Sequence, residues 1–127
     1  MATVMPQQNR PAGTYVSPTG NSSKAAGNIL CELVLQAADL ADSTLSIPFW
    51  AEGSEDGVNW KFLVGWAPDS VTGVGVDTAW HGGRTGRDGQ PAKPILFWDV
   101  SYPLPAKVRV QFILPRTINC SVNVTIG

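Results

Sequence analysis

Few residues in this chain are suited to acid–base or nucleophilic chemistry. His81 is the only histidine, and a Ser-His-Asp triad would need it as the base. Its neighbours match none of the common catalytic motifs, and there is no Gly-x-Ser-x-Gly nucleophile elbow. Asp99 is the most notable acid because its neighbours are apolar, and a raised pKa would suit a general acid. We interpret Asp99 as a hydrogen-bonded or ion-paired strand residue. We therefore predict no catalytic residue, and we expect that the protein is not an enzyme.

The sequence indicates no metal or cofactor site. Structural zinc takes about four Cys or His ligands, whereas the chain has two cysteines and one histidine, widely spaced. The glycine-rich segment 82–89 resembles a phosphate-binding loop but lacks the Gly-Lys-Ser/Thr signature and a following helix. Its two arginines, Arg84 and Arg87, suit docking onto carboxylates of a partner protein, with solvated loop charges as the alternative.

Composition narrows the class of protein. The chain has 127 residues, 43% of them apolar and only 15% charged, with a net charge of −1. The low charge content disfavours a disordered or coiled-coil chain, and no run is long and apolar enough for a membrane span. A near-neutral chain lacks the basic field that direct nucleic-acid binding needs. Few charges also suggest a surface covered by other subunits; the alternative is a compact β domain with a polar, uncharged surface.

Apolar and polar residues alternate with a period of two from residue 29 onward, which predicts strands rather than helices. The alternating runs are 29–36, a hairpin over 44–66 with its turn at Ser54–Gly57, 94–100, 107–114 and 120–126, with 115–119 as a connection. Short strands separated by turn signals predict an all-β fold, an antiparallel β-sandwich of jelly-roll type. Cys31 and Cys120 fall on the apolar sides of their strands, as two buried thiols or, alternatively, as a disulfide.

Two segments lack this alternation. Residues 1–28 are rich in Pro, Gly, Ser, Asn and Gln, and the only strand expected there is a short one at 14–16. We therefore predict an extended N-terminal arm (1–28) that lies on a neighbouring molecule through Arg10 and Tyr15, followed by a β-sandwich domain (29–127). Residues 67–93 form a long glycine-rich loop, which in a compact domain is usually functional or part of an interface.

Five tryptophans are many for this length. Trp60 and Trp66 share one predicted strand face and belong to the core. Trp50 and Trp98 fall on the face opposite to the main apolar positions of their predicted strands. Trp80 lies in the loop beside His81. We expect Trp50, Trp80 and Trp98 at a protein interface, with a second core layer or a sugar-stacking platform as the alternatives. We expect His81 to be a polar loop contact at such an interface.

The turn Ser54-x-Asp56-Gly57-x-x-Trp60, the glycine-rich middle loop and the late strand Pro105–Val110 together resemble small β-sandwich virion proteins of tailed bacteriophages. Among these, the chain is most similar to capsid decoration, or cement, proteins. The resemblance implies a homodimer or homotrimer that is made in the host cytoplasm and binds the major capsid protein on the outer capsid surface. There it would stabilise the contacts between capsomers.

Two other functions remain open at this stage. A carbohydrate-binding module would use exposed tryptophans as a stacking platform, and a tail or baseplate structural protein would share the sandwich without sharing the location. The first requires Trp50, Trp80 or Trp98 to be exposed to solvent.

Overall fold

The computed structural model describes residues 2–22, 28–72, 77–98 and 104–126. Antiparallel sheets pack against each other in it, and the predicted all-β sandwich is confirmed. The strands are β1 (Ala2–Arg10), β2 (Gly13–Val16), β3 (Gly20–Asn21), β4 (Ile29–Leu35), β5 (Ser46–Ile47), β6 (Phe49–Ser54), β7 (Lys61–Trp66), β8 (Trp80–His81), β9 (Ile95–Trp98), β10 (Lys107–Leu114) and β11 (Ile118–Ile126). Two single-turn helices, α1 (Ala37–Leu40) and α2 (Asp69–Thr72), lie in connections.

The strands form two main sheets and one small one. Sheet A has the order β1-β11-β4-β9, and sheet B has the order β2-β10-β6-β7, with β3 also paired to β10. The two-stranded sheet C joins β5 to β8. All of these pairings are antiparallel. Strand β9 is therefore an edge strand of sheet A, which matters for the surface described below.

The core lies between sheets A and B, where the alternation predicts it. Every second residue of β4 and of β10 is buried, and the residues between them are half-buried. Phe49 of β6 meets Phe112 of β10 edge to face, with ring centroids 6.5 Å apart. The inward residues of β4 and β10 are Ile29, Cys31, Leu33, Leu35, Val108, Val110, Phe112 and Leu114. These inner faces of β4 and β10 are apolar and exclude water. The burial of apolar surface is the main favourable term in folding.

The N-terminal segment differs from its prediction. The short strand expected at 14–16 is present as β2, but the expectation that it is the only strand is wrong. Strand β1 pairs with β11 along sheet A, from Ala2 opposite Val124 to Arg10 opposite Ile118. Strand β2 pairs with β10 in sheet B. Residues 2–22 thus contribute strands to both sheets of their own chain, because backbone pairing does not require apolar side chains.

Of the hairpin predicted over 44–66, residues 49–66 form it as β6 and β7, whereas β5 pairs with β8 in sheet C. An irregularity in the hairpin changes which side chains share a face. Ala51 lies opposite Val64, whereas the next residue, Glu52, lies opposite Phe62. Leu63 is the extra residue on β7. Such a bulge moves the side chains of the residues before it to the opposite face of the sheet from the one that simple alternation predicts. Val64 and Trp66 pack against the core, while Trp60 lies before β7, under the guanidinium of Arg109. The assignment of Trp60 to the core is therefore wrong.

The described residues of the segment 67–93 are largely irregular, as expected. Strand β8 pairs with β5 in sheet C, and Thr85 forms an isolated bridge with Pro91. Gly86 donates its N–H to the carbonyl of Gln90 at 2.7 Å, which closes the turn that carries Arg87. Pro48 separates β5 from β6 and so directs one stretch of chain into two sheets.

Candidate interaction surface

The outer face of sheet A carries two exposed large apolar side chains on a single strand. Ile95 is 44% exposed and Phe97 is 54% exposed. Both lie on β9, where Phe97 faces half-buried Leu30 across the ladder and Ile95 faces Glu32. Val34 continues the same face of β4. We call these four apolar residues, Leu30, Val34, Ile95 and Phe97, the outer strip.

Two neighbouring strands create the outer strip because each has apolar residues on both faces. In β4 the odd-numbered residues are buried in the core, which leaves Leu30 and Val34 outside. In β9 the inward residues are Leu96 and Trp98. The sequence predicts a strand at 94–100 that is apolar on both sides, but only the fold shows that it lies beside β4. Isolated exposed apolar residues are ordinary, whereas contiguous exposed apolar patches are candidates for interaction surfaces.

The three tryptophans predicted at an interface are not exposed. Trp50 is 2% exposed and Trp80 is 4% exposed, and Trp98 is half-buried against the core. Trp80 belongs to the core because its strand, β8, pairs with buried Ile47. Trp98 lies opposite Ile29 and shares its inward direction. The expectation that these indoles are exposed is therefore wrong. A sugar-stacking platform would require at least one of them to be exposed, so this arrangement does not support it.

Arg10 and Tyr15 are also placed inside the chain rather than against a neighbour. Arg10 is 5% exposed, and its Nη2 donates to the carbonyl of Pro6 at 2.7 Å. The guanidinium lies 5.8 Å from the ring centre of Tyr15, which stacks on Phe112 at 5.2 Å. Arg10 ends β1 in sheet A, whereas Tyr15 belongs to β2 in sheet B. The two residues therefore link the sheets, and Arg10 is not available to a partner.

His81 and Arg84 are brought together at one cleft, as their proximity in sequence suggests. The cleft has a volume of about 220 Å³, and Asp77, Lys93, Trp66 and Trp80 also line it. His81 and Arg84 are both exposed, and no ion pair of Arg84 or Lys93 occurs within the described residues. Exposed Arg87 does not line this cleft. The cleft offers basic donors at its rim, next to the start of β9.

A polar cluster on the outer face of sheet B is satisfied internally. Buried Glu52 accepts hydrogen bonds on one carboxylate oxygen from Arg109 Nε at 2.9 Å and from Gln111 Nε2 at 2.6 Å. The Arg109 guanidinium also lies 3.9 Å from the centre of the Trp60 ring. An aromatic ring with a carboxylate and donors resembles a sugar site in composition. Here, however, Arg109 covers one ring face, so the cluster ties β6 to β10.

Within the described ranges, no group of three or more His, Cys, Asp or Glu residues is arranged to hold a metal ion. No described helix is long and apolar enough to cross a membrane. Asp99 lies outside the described residues.

Comparisons with family models, with curated proteins and with solved structures found no match to this chain.

Proposed function

We propose that this protein is a non-enzymatic structural protein of a bacteriophage virion, a capsid decoration or cement protein. In this proposal it binds the major capsid protein on the outer surface of the shell and stabilises the contacts between capsomers. It is made in the host cytoplasm and acts on the assembled particle. The observation that carries the proposal is the outer strip, with Ile95 and Phe97 exposed on an edge strand.

The outer strip supports a binding role because exposing its apolar side chains to water is unfavourable in free energy. Burying apolar surface contributes about 25 cal/mol per Å², so Ile95 and Phe97 gain free energy when another surface covers them. Glu32 is the only charged residue of β4 and β9, so few charges lie within such a contact. A partner can therefore approach without stripping water from many charges, which is the main penalty in polar interfaces.

The basic rim of the cleft extends this surface. Lys93 lies two residues before Ile95 and lines the cleft together with Arg84. Neither cation has an ion pair among the described side chains. A capsid surface that presents carboxylates beside an apolar patch would match the outer strip and the rim together.

The mechanism is binding repeated over many copies. Each copy that spans a seam between capsomers adds its own contact energy to the shell, so a modest energy per copy accumulates into a large resistance to expansion. The sheets supply the rigidity, since the residues of the outer strip belong to hydrogen-bonded strands rather than to loops.

Cosedimentation tests the proposal directly. Shells assembled from the major capsid protein of the same virus are mixed with the purified protein, and the bound copies are counted after centrifugation. We expect saturable binding that Val34→Lys weakens about tenfold or more. Val58→Lys is the matched control, because Val58 is 78% exposed in the β6–β7 turn, away from the strip.

Failure of the wild-type protein to bind shells would overturn the decoration role, and binding to isolated tails or baseplates instead would assign it there. Full shell binding by Val34→Lys would remove the outer strip as the docking face.

A further inference from the structure

We propose that two copies of this protein associate by pairing their β9 strands edge to edge and antiparallel, with Ile95 of each copy beside Phe97 of the other. The pairing joins the two copies of sheet A into one continuous sheet. This inference concerns self-association in solution, and it does not depend on whether the protein binds a capsid.

The first step is to establish which backbone N–H and C=O groups of β9 point toward the open edge of sheet A. The N–H of Leu33 in β4 donates to the carbonyl of Pro94, just before β9, at 3.1 Å. Hydrogen-bonded pairs alternate along an antiparallel ladder, so Cys31–Leu96 is the next such pair in this register. The N–H and C=O groups of Ile95 and Phe97 consequently point away from β4. No described strand pairs with that side of β9.

The second step is the register. A partner strand must hydrogen-bond to Ile95 and Phe97, the residues whose backbone groups face the open edge. When β9 pairs with a second β9 about a two-fold axis at Leu96, Ile95 lies opposite Phe97 of the partner in both halves. This register satisfies the open groups of both residues in both copies, and the strand is therefore complementary to itself.

The third step is the packing of the side chains. Ile95 and Phe97 both lie on the outer face, and an aromatic residue beside a β-branched one is a favourable cross-strand pair. Exposed apolar edge strands are otherwise an aggregation hazard, which proteins usually block with charge or proline. In β9 the two outward positions are apolar, and they are among the most exposed large apolar residues described.

The charges near the edge permit this arrangement. Exposed Lys93 precedes the strand, and the antiparallel register places the two copies of Lys93 about 20 Å apart along the sheet. Glu32 lies on β4, one strand in from the edge. The two copies of Glu32 are then separated by three strand spacings, about 14 Å. Neither like-charge pair opposes the contact at ordinary ionic strength.

The small size of the contact sets its strength. A four-residue strand in each copy buries less area than a standard protein interface. The dimer is therefore expected to form as concentration rises rather than to be obligate. A surface that holds many copies close together would favour it further.

Sedimentation velocity and amide hydrogen exchange together test the pairing on the full chain, without capsids. From about 1 to 500 µM we expect a monomer–dimer equilibrium. The amides of Ile95 and Phe97 should gain about tenfold or more protection as the dimer forms, because only strand pairing covers them. The amide of Leu96 should be protected at every concentration. A monomer at the highest concentration, or a dimer whose Ile95 and Phe97 amides stay unprotected, would overturn the proposal.

A pair of charge variants tests the register. Ile95→Lys and Phe97→Glu should each weaken self-association about tenfold or more, whereas an equimolar mixture should recover a heterodimer. In that mixture the new lysine of one copy lies beside the new glutamate of the other, and the remaining phenylalanine lies beside the remaining isoleucine. Val58→Lys should associate like the wild type. Both variants are outward on an edge strand, and circular dichroism would verify their folding. Folded variants that show no recovery on mixing would exclude this register.

Discussion

Cys31 and Cys120 show how far side-chain parity can be predicted. Both are buried free thiols, as the alternation predicts. They lie on neighbouring strands of sheet A, but Cys31 is opposite Val124 and Cys120 is opposite Leu35. This register separates them by four positions, about 13 Å along the strands, which is too far for a disulfide. Burial raises the pKa of the Cys31 thiol to about 12 and also raises the pKa of Cys120, where nearby Arg10 partly opposes it.

We expect both thiols to be almost unreactive in the folded protein. At pH 8 a water-soluble aromatic disulfide reagent should modify them at least about 100-fold more slowly than in denaturant, because the thiolate is the nucleophile and burial suppresses it. The absorbance of the released thiolate measures the rate. Cys31→Ala and Cys120→Ala, each leaving one thiol, serve as matched controls that assign the rates. Rapid modification of either thiol under native conditions would contradict the buried placement.

At the scale of elements, the turn between β6 and β7 depends on one carboxylate. Asp56 Oδ1 accepts hydrogen bonds from the N–H groups of Val58 and Asn59 at 2.8 Å and from Ser54 Oγ at 2.9 Å. Its Oδ2 accepts another from the Asn59 side chain. These donors hold the pKa of Asp56 well below its usual range. The turn is therefore strongest when this carboxylate is ionised.

The pH dependence of stability follows from that lowered pKa. The contribution of Asp56 is present above its unfolded pKa, about 4, and is lost as the pH falls from there towards the folded value. We expect the melting temperature to decrease between pH 5 and pH 2, and Asp56→Asn to show a smaller decrease. Asparagine cannot be protonated in this range but keeps one acceptor oxygen, so it is the matched control. An identical acid response in the two proteins would contradict this role.

The sequence predicts the elements whose side chains alternate cleanly and misses those held by backbone pairing or altered by bulges. Strands β4 and β10 are predictable because one face of each is wholly apolar. Strand β1 is not, because its glutamines and proline carry no alternation, and its place depends on pairing with β11. The faces of Phe62 and Trp60 depend on the bulge at Leu63. The outer strip depends on which strands become neighbours, which alternation within a strand does not specify.

At the scale of the whole molecule, the N-terminal strand joins the fold rather than extending from it. Strand β1 covers one edge of sheet A, and Arg10 then connects to Tyr15 in sheet B. Val4 and Met5 pack against the core. The segment predicted as an arm for a neighbouring molecule is, in its described part, paired with strands of its own chain.

Deleting residues 2–11 should therefore destabilise the fold. We expect a loss of about 3 kcal/mol or more in the free energy of unfolding, because the edge of β11 and part of the core become exposed. Urea denaturation followed by tryptophan fluorescence measures this change. The variant Gln7→Thr/Gln8→Thr is the matched control, since both side chains are exposed and the backbone pairing is kept. A deletion variant with wild-type stability would show that β1 is dispensable.

The pairing of β1 with β11 also determines when sheet A can be completed. Ala2 finds its partner at Val124, so almost all of the described chain must be synthesised before the two strands can meet. Contacts between residues this distant in sequence slow folding, because a long loop must close before any energy is gained. Until then the exposed edge of β1 is available to other chains emerging nearby. The folding yield should therefore decrease as the local concentration of nascent copies in the cell increases.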